Sequence, residues 1–147
     1  MAIAERSTIT TWEGSLEKGA GKLGSGSSGA LDGQEVTWAA RTEAPEGKTS
    51  PEELLAAAHS SCFSMALALM LGQNKTPPTR LDISATVVFE EVDGKPTITT
   101  SNIHVRGQVE GLDAAGFDAV VSDAAALCPV SRLFASAQIN VETEFVS

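Results

Sequence analysis

The chain has 147 residues, of which 42% are hydrophobic and 20% are charged. This length and composition are those of one ordinary globular domain with a single core. The formal net charge is −9 and Lys and Arg are not clustered, which argues against nucleic-acid and membrane-surface partners, because both are bound through clustered cations. The polar segment Met1–Gly14 lacks the apolar stretch of a secretion signal, so we expect a cytoplasmic protein.

The N-terminal part of the chain, residues 8–44, is predicted to form strands separated by turns. Thr8–Glu13 is rich in Thr and contains two large apolar residues, the composition of a half-buried strand. Asp32-Gly33 is a turn dipeptide. We expect Val36–Trp38 to lead into a third strand that carries Arg41.

A long central helix is predicted over residues 51–71. Ser50 can cap its first turn, Pro51 suits the first helical position, and Glu53 completes a capping box. Gly72 is expected to end the helix. Its faces are apolar or small nearly all round, so we predict a buried core helix rather than a membrane span.

The remaining elements predict an α+β fold in a single domain, 1–147. Alternating apolar residues indicate a strand pair over 81–109, and helical spacing indicates a helix over 113–127 with a break at Pro129. Alternation returns in a final strand over 138–146. This order predicts antiparallel sheets around the long central helix.

The chain has two cysteines, Cys62 and Cys128, which are either inert core residues or a redox couple. Cys62 lies in mid-helix, where the helix dipole no longer acts and apolar surroundings raise the pKa of a thiol. A reactive Cys62 therefore needs a cation from elsewhere. Cys128 precedes Pro129, so its sulfur can lie near the first amides of a new helical turn, although it also continues an apolar stripe.

Three further polar residues have ordinary interpretations when taken singly. His59, one turn before Cys62, is either a base for that thiol or, as we prefer, a core histidine bonded to a backbone carbonyl. Arg41 is a solvated strand end, and Glu52 is an acidic residue in a first helical turn. A zinc site that combined both cysteines with His59 and His104 would lack the usual ligand spacing.

Two segments together carry a specific resemblance, Thr49–Leu67 around Cys62 and Cys128–Ser131. Both closely resemble the signature motifs of the OsmC/Ohr family, the osmotically inducible and organic hydroperoxide resistance proteins. Trp12–Gly14, and Arg41 with Glu43, match the family as well. The OsmC-like branch is the nearer match, because the other branch takes its arginine from the first strand region, which here offers only lysines.

The resemblance implies a thiol-dependent peroxidase that reduces organic hydroperoxides, and hydrogen peroxide more weakly, without a cofactor. Cys62 would be the peroxidatic cysteine and Cys128 the resolving one, and Arg41 with Glu52 would be the polar pair that activates Cys62. An external dithiol would then reduce the Cys62–Cys128 disulfide. Two alternatives stay open: a peroxide sensor, and a ligand-binding protein whose cysteines do not turn over.

The helix geometry and the resemblance both predict a homodimer. Glu52 and Cys62 are ten residues apart on one predicted helix, a rise of about 15 Å, so one chain has difficulty supplying both to a compact site. Two such helices packed antiparallel would bring Glu52 of one chain near Cys62 of the other. Members of the family are intertwined dimers, which implies the same OsmC-like assembly here.

Overall fold

The computed structural model describes the whole chain, Met1–Ser147, which divides into two compact units, Met1–Pro51 and Glu52–Ser147. The N-terminal unit holds an antiparallel sheet in the order β1-β2-β3, followed by a short helix. Its elements are β1 (Ile9–Glu13), β2 (Ala20–Gly24), β3 (Glu35–Val36) and α1 (Trp38–Thr42). The assignment of residues 1–147 to a single domain stays a prediction.

Two expectations for the N-terminal unit are wrong in detail. Arg41 lies on helix α1 and not on a strand, because Thr37 caps that helix: its hydroxyl oxygen accepts a hydrogen bond from the Ala40 backbone N–H at 3.0 Å. Strand β1 is exposed along its whole length and not half-buried, and Trp12 retains 40% of its accessible surface.

The C-terminal unit combines a long helix, a three-stranded sheet and two shorter helices. Its elements are α2 (Pro51–Gln73), β4 (Arg80–Val92), β5 (Lys95–Gln108), α3 (Ala114–Leu127), α4 (Pro129–Leu133) and β6 (Gln138–Val146). Helix α2 starts at the predicted residue but continues through Gly72, so the predicted stop is wrong. The chain leaves it at Lys75, whose φ of 60° lies in the left-handed region.

The sheet of this unit has the order β4-β5-β6, and it is not wholly antiparallel as predicted. Strands β4 and β5 form an antiparallel hairpin, whose turn uses positive φ angles at Asp93 and Gly94. Strands β5 and β6 are parallel. Helices α3 and α4 lie between them in the chain and supply the crossover that a parallel pair requires.

The core of this unit lies between helices α2 and α3 and one face of β5. Helix α2 contributes Phe63, Leu67 and Leu71, all fully buried, and helix α3 contributes Phe117 and Val121. By length and composition α2 could cross a membrane, and only 28% of its apolar segment is buried, so the helix packs into the core along one face and is not the wholly buried helix predicted. Its opposite face is not buried as expected: Met65 is 74% exposed and Leu69 is 52% exposed.

Strand β5 packs tightly against the Phe117 ring of helix α3 at Gly107, so we expect Gly107→Ala to destabilise the fold. A Cβ atom there would collide with the ring of Phe117, whose Cε2 atom would be 2.7 Å away. The ring is buried against Phe145, with 5.6 Å between the ring centroids, so it cannot move aside freely. Overpacking of this kind costs about 1–3 kcal/mol.

Urea unfolding at a fixed protein concentration measures this effect, with Gly72→Ala as the matched control. A Cβ atom at Gly72 meets nothing within 4 Å, and alanine in a helix is more stable than glycine by about 0.5–1 kcal/mol. The two variants should therefore shift the free energy of unfolding in opposite directions. Equal stabilities would contradict the packing described at Gly107.

Candidate active site around Cys62 and Cys128

The fold brings the two cysteines together as free thiols. Cys62 is half-buried on α2, and Cys128 is fully buried at the junction of α3 and α4. Cys62 packs against the buried cluster to which Cys128 belongs. Cys128 is fixed through its backbone, because its N–H donates to the Ala124 carbonyl at 2.9 Å and its own carbonyl accepts from Arg132 at 3.1 Å.

The surroundings of Cys62 favour the protonated thiol. Burial raises its pKa most, and the hydrogen bond and charge of Cys128 raise it further. One contact acts in the opposite direction: a hydrogen bond from the Val130 backbone N–H, which lowers the pKa because it favours the thiolate. None of these neighbours is a cation.

His59 is a fully buried polar residue of the same region. Its Nδ1 atom lies 2.6 Å from the Ser101 hydroxyl on β5, and its Nε2 atom lies 2.8 Å from the Ser131 hydroxyl on α4. The ring also stacks on Phe134, with 5.2 Å between the centroids. Burial lowers the pKa of His59, so the neutral imidazole donates from one nitrogen and accepts at the other.

The core-histidine interpretation of His59 is therefore confirmed, although its predicted backbone-carbonyl partner is wrong. Both ring nitrogens are bonded to serine hydroxyls. To act as a base for Cys62 or as a zinc ligand, His59 would have to give up one of these buried hydrogen bonds.

The two polar residues predicted to activate Cys62 lie near the start of α2 and before it. Glu52 is half-buried in the first turn of α2, and the unbroken helix sets it about 15 Å along the axis from Cys62. Arg41 is half-buried on α1, where its guanidinium carbon lies 6.0 Å from the centroid of the Trp38 ring, at the limit of a cation–π contact.

Comparison with known proteins places this arrangement in a family. The family described as OsmC-like protein matches residues 44–144, which include both cysteines. The chain belongs to the OsmC family. This confirms the resemblance carried by the two cysteine motifs.

Named members of the OsmC family align along most of the chain. It is 40% identical over 136 residues to a protein named Peroxiredoxin OsmC from Escherichia coli, and this alignment covers 92% of the chain and 93% of the relative. It is 30% identical over 105 residues to the organic hydroperoxide resistance protein OhrA of Bacillus subtilis, or 71% of this chain and 72% of that one.

Solved structures of the OsmC family share this fold. An OsmC-like protein from Mycoplasma pneumoniae superposes with a TM-score of 0.77 at 13% identity, covering 99% of this chain and all of the other. An organic hydroperoxide resistance protein OsmC from Legionella pneumophila gives a TM-score of 0.71 at 20% identity over the full length of both chains. The predicted α+β, OsmC-like class of fold is confirmed.

Three site residues of this OsmC-family chain were missed by sequence reasoning: Ser101, Val130 and Ser131. A signal for Ser131 was present in the spacing of the residues. Ser131 follows Cys128 by three residues, and His59 and Cys62 are also three residues apart, so a contact between the cysteines can be accompanied by one between His59 and Ser131. Ser101 continues the inward-facing stripe of β5 by one more alternation. The sequence gives no signal for the Val130 contact, because it uses a backbone N–H, which nearly every residue type has.

Proposed function

We propose that the chain is a cysteine-based peroxidase, of the peroxiredoxin type, which reduces organic hydroperoxides and, more weakly, hydrogen peroxide. The names of its relatives, a peroxiredoxin and organic hydroperoxide resistance proteins, support a peroxide-detoxifying redox role. The observation that carries the proposal is the contact between a half-buried thiol, Cys62, and a fully buried one, Cys128. A substrate reaches the first more readily than the second.

The proposed reaction uses only the two thiols, a peroxide and an external reductant. The Cys62 thiolate attacks one peroxide oxygen, the O–O bond breaks, and the other oxygen leaves as an alcohol while Cys62 becomes a sulfenic acid. The thiol of Cys128 then attacks the Cys62 sulfur, which forms the disulfide and releases water. An external dithiol gives two electrons and two protons and restores both thiols.

The activating groups in this proposal are Arg41 and Glu52. Since burial raises the pKa of Cys62, the thiolate needs a cation beside it. A guanidinium group supplies that charge and can donate to the peroxide oxygens as well, and a carboxylate can fix its plane. No bound metal, haem or flavin takes part in this cycle.

We also propose that the working unit is a homodimer with composite sites. Glu52 and Cys62 are about 15 Å apart on the straight helix α2, whereas an Arg–carboxylate contact spans about 3 Å. Two α2 helices packed antiparallel bring Glu52 of one chain to Cys62 of the other. The exposed apolar residues Met65 and Leu69 on α2 give that packing a surface to bury.

This arrangement makes a complementation prediction. We expect a heterodimer of Cys62→Ser and Arg41→Ala chains, made by co-refolding, to recover about half of the wild-type activity, although each variant alone is inactive. One of its two sites combines the intact Cys62 of one chain with the intact Arg41 of the other. The measurement is hydroperoxide loss by the purified heterodimer, with each homodimer as a control. A heterodimer as inactive as its parents, or a fully active monomer in sedimentation, would contradict the composite site.

A steady-state assay tests the proposed activity as a whole. With a dithiol such as dihydrolipoamide or dithiothreitol, the chain should consume many equivalents of cumene hydroperoxide, and hydrogen peroxide more slowly. A peroxide sensor would be oxidised once and then stop, and a ligand-binding protein would consume none. We place the enzyme in the cytoplasm, where dithiol reductants are available.

A further inference from the structure

Helix α2 and the segment Cys128–Ser131 approach each other at two neighbouring places in the C-terminal unit. On α2, His59 precedes Cys62 by three residues, and beyond the α3 helix Ser131 follows Cys128 by three. Cys62 packs against the buried cluster that contains Cys128, and a hydrogen bond of 2.8 Å joins His59 to Ser131. Two neighbouring contacts therefore fix the position of α4 against α2.

His59 holds the buried side of the α4 segment. Between Pro129 and Phe134 only Ser131 and Phe134 are buried, and His59 contacts both, by the hydrogen bond and by ring stacking at 5.2 Å. A helix of five residues has little stability of its own, so its position depends on such tertiary contacts.

His59 is itself fixed to the sheet. Its second nitrogen is bonded to Ser101 on β5 at 2.6 Å, and the ring is fully buried. The bond to Ser131 therefore connects α4 to a rigid core and not to a mobile side chain. The reaction proposed above does not use His59, although it is among the most completely buried polar residues of the chain.

We propose that His59 is a positioning residue, which acts through Ser131 to hold the Val130 amide and the Cys128 thiol against Cys62. Val130 lies next to Ser131, and both Val130 and Cys62 pack against the buried cluster that contains Cys128. The backbone N–H of Val130 lowers the pKa of Cys62. Disulfide formation demands a narrow range of sulfur and backbone geometry, so a small displacement of α4 slows the attack of Cys128 on the Cys62 sulfenic acid. The effect on disulfide formation rests on the proposed peroxidase cycle, whereas the effect on the Cys62 thiolate does not.

The test compares two variants that each remove one hydrogen bond from the same ring, Ser131→Ala and Ser101→Ala. The readout is the pH profile of Cys62 alkylation by iodoacetamide, measured in a Cys128→Ser background so that only one thiol reacts. We expect Ser131→Ala to raise the apparent pKa of Cys62 by roughly half a unit to one unit, because the Val130 amide is displaced. Ser101→Ala should shift the apparent pKa of Cys62 less, although its loss of stability should be similar. Ser131→Thr keeps the hydroxyl and should restore the wild-type pH profile of alkylation.

A second readout follows the disulfide in the presence of both cysteines. After one equivalent of cumene hydroperoxide, quenched samples should show Cys62–Cys128 disulfide forming on the order of tenfold more slowly in Ser131→Ala than in wild type. His59→Gln should reproduce both effects, and adding Ser131→Ala to it should change little more, because the two residues act as one unit.

Two results would overturn the positioning role. One is a folded Ser131→Ala variant with an unaltered alkylation profile. The other is an equal shift in Ser101→Ala and Ser131→Ala, since a purely structural histidine would respond alike to both losses. If Ser131→Ala does not fold, the pH profile of Cys62 alkylation in His59→Gln tests the positioning role instead, and an unaltered profile there overturns it. The alkylation needs no peroxide, so a wild-type chain that consumed none would refute the proposed function and leave this comparison valid.

Discussion

Cys62→Ser is expected to abolish peroxide turnover altogether. A serine hydroxyl does not form a nucleophilic anion near neutral pH, and in the proposed cycle only Cys62 meets the peroxide. The measurement is dithiol-dependent loss of cumene hydroperoxide, and the decrease should reach the rate without protein. Far-ultraviolet circular dichroism controls for folding, which the near-isosteric change should preserve.

Cys128→Ser is the matched control, because it removes the other thiol of the same pair. This variant should undergo one round of oxidation at Cys62 and then over-oxidise to the sulfinic acid, since no neighbouring thiol captures the intermediate. Peptide mass spectrometry distinguishes these states. A sulfenic acid at Cys128 in the Cys62→Ser protein would mean that the two roles have to be exchanged.

The second large effect is expected at Arg41. Arg41→Ala should raise the pKa of Cys62 and slow peroxide reduction by about two to three orders of magnitude, because the charge that favours the thiolate and orients the peroxide is lost. We expect the stability to change little, since Arg41 is only half-buried on the five-residue helix α1. Stopped-flow oxidation at several pH values separates the pKa effect from the loss of orientation.

Two controls make the Arg41 result specific. Arg41→Lys keeps the charge but loses the planar fork, so its Cys62 pKa should lie nearer to wild type while its rate stays low. Arg6→Ala removes an exposed arginine from the N-terminal segment and should have no effect on either quantity. Unaltered kinetics in Arg41→Ala would remove this residue from the proposed site.

The elements with strong local signals were predictable from the sequence. The final strand has the predicted bounds, 138–146, because Ile139, Val141 and Phe145 recur at the two-residue spacing of a strand. Helix α2 starts at the predicted Pro51. It passes Gly72 because a glycine only ends a helix when the chain turns there, and the left-handed residue that turns the chain is Lys75.

The errors arose where a residue type has two uses or where the outcome depends on distant contacts. Thr37 favours a strand by composition but caps a helix by its hydroxyl, and it does the second here. The sequence of strand β6 is compatible with either parallel or antiparallel pairing. Its parallel pairing with β5 is decided by the crossover through α3 and α4, which no local pattern describes.

The site was predictable as a pair of cysteines and not as a network. The family resemblance indicated that Cys62 and Cys128 act together, which stays a prediction, and the structure packs Cys62, as a free thiol, against the buried cluster that contains Cys128. The hydrogen bonds of His59 to Ser101 and Ser131 bridge three elements far apart in sequence. No periodicity shows which buried polar groups will satisfy one another, because that depends on how the elements pack.

The most direct test of the central claim follows a single oxidation without any reductant. The reduced chain is treated with one equivalent of cumene hydroperoxide, and the cysteines are mapped by peptide mass spectrometry while the alcohol product is counted. The proposed cycle predicts one alcohol for each chain oxidised and a disulfide that joins Cys62 to Cys128 within that chain. Two free thiols beside unconsumed hydroperoxide would contradict it.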